Sequence, residues 1–235
     1  YVNNSRTRTI HRITIETGEV STLVVYGSST LGRLPAPIWG QSGYLYFSDP
    51  FSFEGLKRVD LETLEVTGVA EPIGRGIWGD GRDIFLSVAG AILKVNPTNG
   101  AVTVVAGRPD LPGWADGEGD AARFGFLGGL WGDDEHVYVA DGHTIRKLEI
   151  ETNRVTTLAG LGRTEVTSEE ARRLINGLDG ISGHEDRVFV AAGDSVRSVD
   201  LLTGEMTVLA GFPGLDGARD GVGTKARFRG AGGLW

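Results

Sequence analysis

The stretch GLWGDDEHVYVADGHTIRKLEIETNRVTTLAG, Gly129 to Gly160, decides the architecture. It holds four short β-prone pieces. Gly129-Leu130-Trp131 is an apolar start flanked by glycine, and Val137-Tyr138-Val139 follows it. Ile145-Arg146-Lys147-Leu148-Glu149-Ile150 and Val155-Thr156-Thr157-Leu158-Ala159 complete the set. Alternation over five or six residues is the strand period, because successive side chains point to opposite faces.

Working outward, the same pattern recurs. GISGHEDRVFVAAGDSVRSVDLLTGEMTVLAG runs from Gly180 to Gly211, and GIWGDGRDIFLSVAGAILKVNPTNGAVTVVAG from Gly76 to Gly107. A divergent copy, PIWGQSGYLYFSDPFSFEGLKRVDLETLEVTGVA, spans Pro37 to Ala70. The position held by Trp39, Trp78, Trp131, Ser182 and Trp235 recurs at intervals of 39, 53, 51 and 53 residues. Turn pairs such as Asn99-Gly100 and Thr203-Gly204, and the triplet Gly79-Asp80-Gly81, separate the pieces. Four antiparallel strands repeated at ~40–50 residues are the pattern of a propeller blade. One blade cannot bury both of its faces, so the copies stack around an axis.

The ends suggest a closed ring. Tyr1-Val2-Asn3 aligns with Tyr138-Val139-Ala140, and 10–15 with 20–25 supply two further strands. The last residues, Gly233-Leu234-Trp235, read as a first strand. The expectation is an all-β, five-bladed propeller of four-stranded antiparallel blades. Its blades fall at 1–27 with 230–235, 37–70, 76–107, 129–160 and 180–211, and the C-terminal strand completes the N-terminal blade. Closure would remove two open sheet edges and leave a monomer. Termini at one point of the repeat also fit a trimmed, permuted or engineered chain, or a piece of a longer array.

Composition narrows the chemistry. The 235 residues are 40% hydrophobic and 23% charged, which is a globular balance. No Cys means no disulfides, thiolate zinc sites or thiol nucleophiles. A net charge of -8 argues against nucleic acid, which needs cationic surface. No apolar run reaches the ~18 residues of a membrane span, and YVNNSRTRTIHRI lacks the apolar centre of a signal peptide. The basic residues of the third strands, Arg12, Lys57-Arg58, Lys94, Arg146-Lys147 and Arg197, read as a solvated face with compensating acids.

Three loops between blades are long. GRPDLPGWADGEGDAARFGFLGGLW and GFPGLDGARDGVGTKARFRGAGGLW match at Asp116-Gly117 with Asp220-Gly221 and at Ala122-Arg123-Phe124 with Ala226-Arg227-Phe228. Asp120 and Thr224 are expected to cap a helical turn each. In the third loop Thr167-Ser168-Glu169-Glu170 is a capping box, and Asn176-Gly177 stops the helix it starts.

These blade and loop motifs resemble the NHL-repeat β-propellers. The subtype is the bacterial one with D-G-x-G…A-R-F loops followed by G-L-W-G-D and V-Y-V-A-D…I-R-K, and the likeness covers essentially the whole chain. The Asn-His-Leu signature itself is not evident, and the commoner family ring has six blades. The resemblance implies a non-enzymatic recognition scaffold, extracellular or in the cell envelope, for a protein, peptide or glycan. A minority of related propellers are lyases or lactonases.

The candidate ligand contacts are Trp39, Trp78, Trp131 and Trp235 at the ends of the inner strands, with Arg75 and Asp179 at the channel mouth. An indole collar stacks sugars or clamps peptides; the competing role is to fill the wedge between blades. The position three before each Trp reads Ala36, Arg75, Gly128, Asp179 and Gly232, so two opposite charges stand among small residues. A lyase or hydrolase at the mouth would use Arg75, Asp179 and His184. No metal is expected, since Asp179 is the lone acid at these positions. Asp116-Gly117-Glu118-Gly119-Asp120 starts like a calcium loop, but Ala121 replaces the turn glycine and Leu127 the terminal Glu. No cofactor is expected, because the P-loop, dinucleotide and G-x-S-x-G patterns are missing.

Overall fold

A computed structural model describes residues 1–4, 7, 9–26, 37–48, 55–160 and 180–234. Among these the chain forms five antiparallel sheets and no α-helix. The first sheet is β1 (Val2–Asn4), β2 (Thr9–Ile13) and β3 (Val20–Val25) in sequence order. The second is β4 (Ile38–Gln41), β5 (Tyr44–Ser48), β6 (Leu56–Asp60) and β7 (Val66–Ala70). The third is β8 (Gly76–Gly79), β9 (Ile84–Val88), β10 (Ala91–Val95) and β11 (Val102–Gly107). The fourth holds β12 (Gly117–Glu118), β13 (Leu127–Gly132), β14 (His136–Asp141), β15 (Thr144–Glu149) and β16 (Arg154–Gly160), with β12 outside β16. The fifth is β17 (Ile181–His184), β18 (Arg187–Ala191), β19 (Ser195–Asp200) and β20 (Met206–Gly211).

Local chemistry sets the hairpins. Asp60 and Asp200 end their third strands and Asn96 directly follows its own, and each Oδ1 accepts two backbone N–H groups of the turn that follows. These are Asx turns. Three of the fourth strands, β11, β16 and β20, end in glycine because nothing larger fits. Gly107, Gly160 and Gly211 have φ of +83°, +96° and +85°, and a Cβ on each would fall 2.2–2.3 Å from a backbone oxygen.

The chain divides into two compact units, Tyr1–Val88 with Lys94–Thr103, and Ala89–Leu93 with Val104–Trp235. In the first unit Ile10 and Val24 of the first sheet, with Tyr26 just after it, pack against Leu45, Phe47 and Val59 of the second. Tyr26 and Phe47 rings lie 4.7 Å apart. In the second unit Tyr138, Ala140 and Ile145 of the fourth sheet pack against Ile181, Val188 and Val190 of the fifth. Facing sheets thus bury the apolar faces that the alternation marks out.

Three expectations need correction or fall outside this description. Asp120 and Thr224 do not cap helices. They lie inside single 3-10 turns, Gly119–Ala121 and Gly223–Lys225, preceded by Glu118 and Val222 with no side-chain cap. The third-strand bases are not a uniformly solvated face, since Lys57, Arg146 and Arg197 are buried at 8%, 1% and 6% exposure. They share the face of their apolar neighbours, Arg146 being in phase with Leu148. The capping box at Thr167 and the whole 164–179 loop lie outside the described residues.

Candidate functional site

The inner-strand tryptophans are placed by glycines of the next sheet. Trp39 Nε1 donates to Gln41 Oε1 at 3.1 Å, and Gly81 N–H donates to the same oxygen at 3.2 Å. A Cβ on Gly79 would lie 2.0 Å from that oxygen and 2.9 Å from the indole nitrogen. Trp131 stacks on Tyr138 at 5.6 Å, and a Cβ on Gly183 would fall 2.5 Å from its ring. Each indole therefore fills the gap over a neighbouring glycine. Trp78 is buried at 5% exposure and sits 6.1 Å from Trp39 and 5.6 Å from Phe85. Trp39 and Trp131 are half-buried.

Arg75 is exposed on the segment leading into β8. That segment is pinned from below. Ser48 Oγ accepts from Gly74 N–H, and Ser87 Oγ from Gly76 N–H, both at 2.8 Å. Arg75 N–H donates to Ser87 O at 2.8 Å. Trp39, Trp78 and Arg75 lie in one compact unit and Trp131 in the other. Asp179, Trp235 and Ala36 lie outside the described residues.

A polar cluster that the alternation did not single out organises the long loop before the fourth sheet. Arg146 crosses from β15 into that loop and makes four hydrogen bonds. Nη1 donates to Arg123 O at 3.0 Å and to Asp141 Oδ2 at 3.1 Å. Nη2 donates to Ala115 O and to Asp116 Oδ1, each at 2.8 Å. Asp141 Oδ1 accepts from Gly125 N–H and Phe126 N–H, and Asp116 accepts from the Thr157 N–H and hydroxyl. The Phe124 ring lies 5.3 Å from the guanidinium carbon.

The two carboxylates are tuned in opposite senses. Burial dominates at Asp141 and raises its pKa, against the pull of the Phe126 N–H and Arg146. Burial also pushes Asp116 up, but the Thr157 groups and Arg146 outweigh it and hold its pKa below the usual range. With its oxygens spent on Thr157 and Arg146, Asp116 serves as an anchor. The signal for this cluster was present in the sequence: an Arg in phase with apolar residues, downstream of a D-G-x-G…A-R-F run.

The two histidines in the turns between first and second strands, His136 and His184, differ from each other. His136 is half-buried, with Nδ1 3.4 Å from Asp133 Oδ1, and the Tyr138 hydroxyl donates to Asp133 Oδ2 at 3.3 Å. His184 is exposed in its turn beside Glu185. Among the described residues no group of His, Asp and Glu is arranged to hold a metal, and no helix is long and apolar enough to cross a membrane.

No family model matches the chain, and no curated protein is similar to it. Solved structures are. An auxiliary nutrient binding protein from Bacteroides thetaiotaomicron superposes with a TM-score of 0.61 at 20% identity, over 81% of this chain and 52% of its own. The nidogen/laminin complex gives 0.62 at 12%, over 88% and 76%. A structural genomics protein of unknown function from the same Bacteroides gives 0.60 at 20%, over 82% and 53%. The chain spans about half the length of the two Bacteroides proteins. At these identities the likeness establishes the fold, a β-propeller type built of antiparallel sheets.

Proposed function

We propose that the chain is a non-enzymatic recognition module of the NHL-repeat type, extracellular or in the cell envelope, that holds a protein, peptide or glycan on its inter-blade loops and channel mouth. In this reading the ring has five blades, and a Gly-Gly-Leu-Trp strand, Gly232–Trp235, completes the three-stranded first sheet. The observation that carries the proposal is the Arg146 cluster. It fixes a long irregular loop to a sheet by buried, charge-assisted hydrogen bonds. Irregular loops on a rigid frame are the usual site of recognition. A binding protein among the structural neighbours supports the same reading.

The mouth contacts are Arg75 and Asp179, with Trp39, Trp78, Trp131 and Trp235 lining the inner strands. Trp39 and Trp131 are half-buried; Trp78 acts through its neighbours, being buried. The loops at 116–124, 164–179 and 216–228 supply the variable surface. The test is a screen of the chain against glycan and peptide arrays, repeated with Arg75→Ala and with the 164–179 loop shortened. Binding lost in both variants at unchanged thermal stability supports the reading. A screen in which every hit survives both changes, or in which the shortened chain does not fold, contradicts it.

A further inference from the structure

The loop that Arg146 anchors carries aromatic side chains that the anchoring does not use. Trp114 is 38% exposed and Phe126 60%. The backbone that carries them is nevertheless fixed. Phe126 N–H donates to Asp141 Oδ1, and its carbonyl accepts from Gly142 N–H, both at 2.8 Å. The six-membered ring of Trp114 lies on the Gly125 backbone, where a Cβ would fall within 2.7 Å of three ring atoms. Its Nε1 is 3.9 Å from the Cβ position of Gly142. Two glycines thus seat the indole, and Phe126 follows the first of them. Large apolar side chains exposed together on a fixed backbone mark a contact surface.

The chain holds its own control for the role of these residues. The loop at 212–230 repeats the backbone frame. Leu215 N–H donates to Phe212 O and Gly217 N–H to Phe228 O, as Leu111 does to Arg108 O and Gly113 to Phe124 O. Arg219 and Arg227 exchange two backbone bonds, as Ala115 and Arg123 do. In this second frame Ala218 stands at the place of Trp114, Arg229 at that of Gly125 and Gly230 at that of Phe126. The frame therefore forms without the indole, its glycine seat or the neighbouring phenyl ring. The three change together, so they serve something other than the frame.

We propose that Trp114 and Phe126 form a stacking platform for a neutral pyranose ring of a glycan. Sugar C–H groups carry small positive charges and lie well against the negative face of an aromatic ring. A peptide added as a strand needs open backbone donors. Here the N–H groups of Gly113, Ala115, Arg123, Gly125 and Phe126 all donate within the protein. A sugar needs side-chain groups for its hydroxyls, and these stand just before the indole. Arg108 Nε and Nη2 donate to Asp110 Oδ1 and Oδ2 at 3.2 and 2.8 Å, and both side chains are exposed. Their turn is closed by Leu111 N–H to Arg108 O at 3.1 Å. The pair is neutral as a whole and offers donors and acceptors side by side. This inference rests on the recognition reading and names its ligand class.

The test is calorimetric titration of the full chain with cellohexaose, mannohexaose and chitohexaose, beside a peptide array as the rival ligand. At least one sugar should bind, and Trp114→Ala should weaken it about tenfold. That variant copies Ala218 of the sister loop, so its melting temperature should stay close to that of the unaltered chain. Trp114→Tyr should keep most of the affinity and Trp114→Leu should lose it, because stacking needs a ring whereas apolar docking needs only bulk. A sugar bound equally by the Leu variant overturns the platform and leaves the recognition reading standing. Peptides bound in place of every sugar overturn the ligand class alone. An unaltered chain that binds neither overturns both.

Discussion

Arg146 is a fixed cation inside a small apolar sheet, and its consequences are measurable. Removing one member of a buried pair leaves the other uncompensated, so Arg146→Ala should cost about 3–5 kcal/mol in chemical denaturation. Replacing Arg146 and Asp141 together by Met and Leu should recover part of that loss, because the lone charge is gone. The acid side separates the two carboxylates. Asp116 has a folded pKa below the ordinary range, so its contribution is full above that range and is lost as pH falls through the folded value. Asp141, raised by burial, has the opposite sign and gives no acid-labile step. Trp114 packs against Gly125 in the same loop, so its fluorescence should report the Asp116 step. An Asp116→Asn variant should lack that step.

At the level of strands and loops, much was legible. Alternation and turn residues placed all four strands of the Gly129–Gly160 stretch, because its hairpins are held locally, by the Asp133 Asx turn, by Gly142 and by Asn153, the last two at positive φ. The recurring Trp and the glycine of the next copy were visible as a motif. Their contact was not, because it joins residues about fifty apart, such as Trp131 and Gly183. Arg146 was misread for a similar reason. Beside Lys147 it looks like any exposed basic pair, and only the sheet register brings Asp116 to it. The Trp–Gly contact makes a direct prediction. Gly183→Ala should destabilise by about 1–3 kcal/mol through overpacking, and the cost should vanish in a Trp131→Ala background.

Across the described residues, repeated antiparallel sheets carry loops that the sheets hold still. Function was less legible than fold, since the same frame serves many ligands and the site depends on a few side chains. The central claim is that the 113–126 loop is part of the rigid frame, and amide hydrogen exchange tests it most directly. Gly113, Ala115, Gly119 and Arg123 N–H groups all donate to backbone carbonyls. The account predicts that these four amides are protected like those of β14 and β15, and that Arg146→Ala abolishes their protection while the strands keep theirs. Exchange in the unaltered chain as fast as in an open loop would contradict it.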